Sequence, residues 1–179
     1  MNWLTGLYAP AIGLLLWQAI VQTSLDQKLL AIAILVLSLD LLKMAIFDLE
    51  QVAKVRSILT IDSIEPRLDR FYWVTIWTIV LELIGLYLGP ISLSSSAIVV
   101  LFSQLGFNIL TQVQLMPDMP DIINKIQPWG IRDRALVLIA DCLGIGLVAL
   151  GQSGHWPIGT SIGLLLMVVT YGVIKYSQI

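Results

Sequence analysis

Six apolar runs, each long enough to cross a bilayer, leave this chain little choice of fold. They cover residues 2–22, 28–48, 71–89, 93–116, 134–151 and 156–175. Spanning takes about 20 mainly apolar residues, and the bilayer core holds no water to satisfy backbone N–H and C=O groups, so such runs are expected as helices. Of the 179 residues, 58% are hydrophobic and 12% charged, an apolar excess that a soluble domain could not hide. The expected fold class is all-α: a polytopic integral membrane protein with about six transmembrane helices, forming a single transmembrane helical bundle over residues 1–179. Short turns join the runs pairwise, which predicts three hairpins. The first run has no Lys or Arg before it and no small-x-small cleavage pattern after it, so it is expected to be retained as a span.

Several function classes drop out. A net charge of −2 supplies no basic field, and no nucleic-acid partner is expected. Cys142 is the sole cysteine, so the chain has neither an internal disulfide nor a C-x-x-C redox pair. His155 is the sole histidine and cannot provide paired haem ligands or clustered imidazoles. No metal or cofactor is expected, and no lipid-headgroup enzyme signature is present. Gly151-Gln152-Ser153-Gly154 spells the G-x-S-G of intramembrane serine proteases, where a histidine on another helix activates the serine. Here His155 follows Ser153 by two residues in a short turn, a poor position for a general base, so a Gly-rich turn is the expectation. Catalysis has no evident seat.

Charge placement orients the bundle. Lys54, Arg56, Arg67, Arg70, Lys125, Arg132, Arg134 and Lys175 fall on one side if both termini share it, and Lys28 falls opposite. The positive-inside rule then makes both termini and the two long loops cytoplasmic, or stromal in a thylakoid membrane. Trp3, Trp73, Trp129 and Tyr176 would mark the inner interface; Trp17, Tyr87 and Trp156 would mark the outer. Short interfacial helices are expected in the cytoplasmic loops. Leu49, Val52, Val55 and Leu59 recur at helical spacing, and Ile122, Ile123 and Ile126 lie between Pro117, Pro120 and Pro128 beside Trp129. Either loop could dock a partner.

Acids inside the apolar runs are costly and point toward protein. Asp40, Glu82 and Asp141 each sit near mid-run. In the third run Thr75, Thr78, Glu82, Gly85 and Gly89 share one helical face, with Gly85 and Gly89 at the small-xxx-small spacing of membrane helix contacts. The fourth run presents Gln104, Asn108 and Gln112 at intervals of four, with Thr111 beside them; carboxamides there can donate to carboxylates. In the fifth, Asp141, Gly144 and Gly151 share a sector. Asp40 and Lys43, one turn apart, are candidates for an internal ion pair, unless Lys43 snorkels to the surface. Asp69-Arg70 with Glu82-Leu83-Ile84-Gly85 is weakly echoed by Asp133-Arg134 with Asp141-Cys142-Leu143-Gly144, a pattern open to duplication or to chance.

Two roles for the acids compete. They either glue helices together, protonated or paired, or form an inward-facing ligand, proton or cation site of Glu82, Asp141, Gln104, Asn108 and Asp40, with Gly85, Gly89 and Gly144 as packing positions. The working site would make the protein a small transport or solute-binding component. Substrate-binding subunits of energy-coupling-factor transporters are similar in size and span count, though no motif is shared. The alternative is a non-catalytic accessory subunit or assembly factor of a larger membrane complex. Expected partners are the lipid bilayer and a membrane protein or a second copy.

Overall fold

The computed structural model describes residues 2–58, 65–116 and 126–177. Its helices are α1 (Asn2–Gly6), α2 (Tyr8–Val21), α3 (Leu25–Ile58), α4 (Pro66–Leu88), α5 (Leu93–Leu110), α6 (Ala135–Gln152) and α7 (Pro157–Ser177). Strands β1 (Val113–Leu115) and β2 (Ile126–Pro128) and a 3-10 turn at Ile131–Arg134 lie between α5 and α6. Six helical stretches are long and apolar enough to cross a membrane, the first running through α1 and α2.

Helix starts follow from local chemistry. Glu65 precedes Pro66, whose missing N–H costs nothing in a first turn; its carboxylate accepts from the Arg67 backbone at 3.4 Å and from Arg67 Nε at 2.6 Å. That side-chain hydrogen bond holds the Glu65 carboxyl below its usual range. Ser92 caps α5 by accepting from the Ser95 N–H at 3.2 Å. Before α7 the chain turns through Gly154 and Trp156, both at positive φ, and the Trp156 ring lies so close over Gly159 that a Cβ there would be 2.5 Å from it.

In the bundle, α4 packs on α5, α5 on α6, α6 on α7, and α7 returns to α3, while α2 lies against α3 and α4. A core including Tyr8, Leu15, Ile34, Leu41, Ile79 and Leu86 fills the centre. Outward surfaces carry Trp17, Trp77, Ile84, Phe102, Leu136 and Leu143, all exposed and apolar. Large apolar side chains on the outside of six long apolar helices are compatible with lipid as the surrounding medium.

Three loop expectations need correction. The 49–59 segment was expected as a separate interfacial helix; instead α3 runs unbroken for 34 residues, about 51 Å at 1.5 Å per residue, far beyond a hydrocarbon core of about 30 Å. Its apolar stripe is buried in protein: Val52 and Val55 join Leu68, Phe71, Phe107, Val113, Leu115 and Ile126 in a second core. Secondly, the fourth run does not stay helical to residue 116, because α5 stops at Leu110 and Val113–Leu115 pairs antiparallel with Ile126–Pro128. Thirdly, Ile126 does not dip outward but is buried in that second core. Leu59 and residues 117–125 lie outside the described residues, as does the Tyr176 side chain.

Candidate functional site

The α4 stripe meets α5 face to face, and glycine sets the distance. A Cβ on Gly85 would lie 2.8 Å from Val100 Cγ2 and 3.1 Å from the Val100 backbone nitrogen. One turn along this antiparallel pair, that closeness brings Glu82 and Gln104 together: Gln104 Nε2 donates to Glu82 Oε1 at 2.6 Å. Tyr8 from α2 donates its hydroxyl to Glu82 Oε2. Both carboxylate oxygens thus have a donor, which offsets the desolvation of a residue only 2% exposed.

From Gln104 the polar line continues along α5. Asn108 Nδ2 donates to the Gln104 carbonyl at 3.0 Å and, in a longer contact, to Asp141 Oδ2 at 3.4 Å. Gln104 and Asn108 therefore link Glu82 on α4 to Asp141 on α6. The two acids line different cavities. Glu82 borders one of about 20 Å³ with Asp48, Thr75, Thr78 and Gln104. Asp141 borders another of about 30 Å³ with Asp40, Gln104 and Tyr171. Gln104 is common to both, so the single shared cleft expected from sequence is two water-sized chambers separated by one carboxamide.

Asp40 borders the second chamber and has a cation from α7. Lys175 Nζ lies 2.7 and 2.9 Å from its two carboxylate oxygens, a partner 135 residues away in the chain. The packing glycines are crowded too: a Cβ on Gly89 would meet Leu15 Cδ2 at 2.8 Å, and one on Gly144 would meet Met167 Cε at 2.8 Å.

Arg134 is the residue that sequence reasoning most misplaced. Expected as a loop charge, it is 1% exposed. Nη1 donates to the Asn108 carbonyl at 3.0 Å and to Thr111 Oγ1 at 2.8 Å, and the guanidinium stacks 4.1 Å from the Trp129 ring. The Asn108 carbonyl is among the last four of α5, which lack helical partners, so Arg134 caps the helix and places its charge at the negative dipole end. Trp129, expected as an interface marker, is the stacking platform for Arg134. Tyr8 and Asp48 were also missed: Tyr8 lies in an otherwise largely apolar run, and Asp48 marks the expected run's end. A polar group at helical spacing from a run's interior was the available signal, though nothing local names its partner.

Compared with protein-family models, curated proteins and solved structures, the chain matches none. The site's chemistry must carry the functional reading alone.

The Ser153 turn differs from expectation in one respect. Ser153 Oγ lies 2.8 Å from His155 Nδ1, within hydrogen-bond reach. The same hydroxyl bonds the Leu150 carbonyl at 2.8 Å, both residues are exposed, and no carboxylate bonds the imidazole among the described residues. A turn stabilised by its own side chains accounts for this contact.

Proposed function

We propose that the protein is a small membrane transport component, inserted as six spans with both termini on the cytoplasmic or stromal side, in which Glu82 binds and releases a proton. The observation that carries the reading is the buried Glu82 carboxylate between the Tyr8 hydroxyl and the Gln104 carboxamide. Exposed apolar side chains around a polar centre support insertion, and the clustering of Lys and Arg in the loop regions supports the orientation.

Size argues for a small transported species. Organic ligands occupy pockets of about 300–1,000 Å³, whereas the chambers beside Glu82 and Asp141 are about 20 and 30 Å³. Tyr8, Gln104 and Asn108 position the two acids, and Asp40, paired with Lys175 of α7, borders the second chamber.

Purified protein in liposomes loaded with a pH-sensitive dye tests this under a potassium-valinomycin potential. Glu82→Gln, which keeps size and hydrogen-bonding capacity, should reduce proton flux to that of empty liposomes while insertion stays normal. Wild-type flux in that variant overturns the reading.

The accessory-subunit role draws on a different observation, the folded platform where the extended end of α3 packs with the β1–β2 ribbon. Such a platform would hold a partner chain during mild-detergent purification. Charge reversal at Lys54 and Arg56 should then release it; migration as a lone protein in native gels would count against this role.

A further inference from the structure

Asp48 has no part in the line from Tyr8 to Asp141, yet it borders the same 20 Å³ chamber as Glu82. It makes no hydrogen bond or ion pair with any described residue. Neither does the Thr78 hydroxyl, although Thr78 borders the chamber and is only 8% exposed. Thr75 and Gln104 complete the polar lining; Thr75 donates to the Phe71 carbonyl at 2.9 Å and Gln104 to Glu82, and the oxygen of each can still accept a contact. Leu41, Met44, Ala45, Ile79 and Phe107 form the apolar remainder.

Oxygen atoms gathered on one small, partly open chamber favour a positive guest. Two carboxylates on one water-sized chamber repel each other unless a cation or a proton intervenes. The Thr78 hydroxyl, without a hydrogen-bond partner among the described residues, has its oxygen free to contact such a guest. The polar groups facing the chamber offer oxygen and no thiol or imidazole, the donor set of a hard cation. The volume admits one particle about the size of a water molecule. Magnesium, which sheds its hydration shell reluctantly, does not suit a space this small. Arg134 and Lys175 lie within electrostatic reach of Asp48 without bonding it, which disfavours a guest of high charge.

We infer that the chamber between α3, α4 and α5 binds one dehydrated monovalent cation of sodium's size through oxygen atoms of Asp48, Glu82 and Thr78, with Thr75 and Gln104 completing its shell. This rests on the reading of Glu82 as a working group and names the species exchanged there alongside the proton. Occupancy joins α3 to α4, so ion binding would tighten the bundle at the end nearest the second core.

The test is thermal unfolding of the purified full-length protein in detergent, with sodium chloride replacing N-methylglucamine chloride at constant pH and ionic strength. The midpoint should rise with the logarithm of sodium concentration, and rise less with potassium. Asp48→Asn should abolish the rise. Thr78→Val, nearly the same shape, should weaken apparent sodium affinity about tenfold, as expected for one lost oxygen contact, while Thr78→Ser restores it. A wild-type midpoint indifferent to sodium overturns the inference, as does an unchanged rise in either Asp48→Asn or Thr78→Val. If sodium has no effect while Glu82-dependent proton flux persists, the cation site fails and the transport reading stands. Loss of both removes the transport reading as well.

Discussion

At the scale of single residues, the cost of a buried polar atom decides what each substitution does. Glu82 has one donor for each oxygen, so Tyr8→Phe leaves Oε2 without one in a site that water barely reaches. We expect a loss of about 1–3 kcal/mol in unfolding free energy, read from the denaturant midpoint, with the helical circular-dichroism spectrum unchanged. Arg134 offers a sharper comparison because its guanidinium reaches two acceptors from Nη1 and stacks on Trp129 at once. Arg134→Lys keeps the charge but loses the planar fork, for about 1–2 kcal/mol; Arg134→Leu should cost clearly more, since the Asn108 carbonyl and the Thr111 hydroxyl both lose their donor. Equal stability of the two variants would mean that the charge contributes nothing at this helix end.

Among the helices, distance of approach is the controlling quantity, and the glycines differ in what they face. At Gly85 an added methyl meets a backbone nitrogen at 3.1 Å as well as the Val100 side chain, and neither α4 nor α5 can yield without moving the Glu82–Gln104 contact one turn away. At Gly144 it meets Met167 Cε, the far end of a flexible side chain, and Leu101 methyls at 3.1 and 3.3 Å. Gly85→Ala is therefore predicted to destabilise by about 2 kcal/mol and to impair any Glu82-dependent flux, with Gly144→Ala milder on both measures. Equal effects would show that α4 and α5 are not set by this contact. The small-xxx-small spacing made Gly85, Gly89 and Gly144 legible as packing positions. It carried no information on which helix each one faces.

Across the whole molecule, the Asp40–Lys175 pair ties α3 to α7 over 135 residues of chain. A double-mutant cycle with Asp40→Asn and Lys175→Met should return a coupling of about 0.5–3 kcal/mol, because each single change strands a charge that the double change removes. Additive effects within error would mean that the pair does not hold the two helices together. Since Asp40 borders the Asp141 chamber, the single variants are also expected to raise proton leak in liposomes above that of the double variant. Stability and conduction then report on one contact through separate measurements.

The number of long apolar helices, and the inward turn of Glu82 and Asp141, follow from the sequence alone, because a mid-run carboxylate facing lipid would cost too much. Helical periodicity likewise put Thr75, Thr78 and Glu82 on one face and Gln104 with Asn108 on another. Partner choice is different in kind. Tyr8 reaching Glu82, Lys175 reaching Asp40, Arg134 capping α5 and Asp48 bordering the Glu82 chamber all join groups on different helices. Local spacing cannot rank such partners, since many polar side chains offer the same chemistry. Only the packed arrangement of helices, set by close contacts such as Gly85 on Val100, brings one of them within bonding distance.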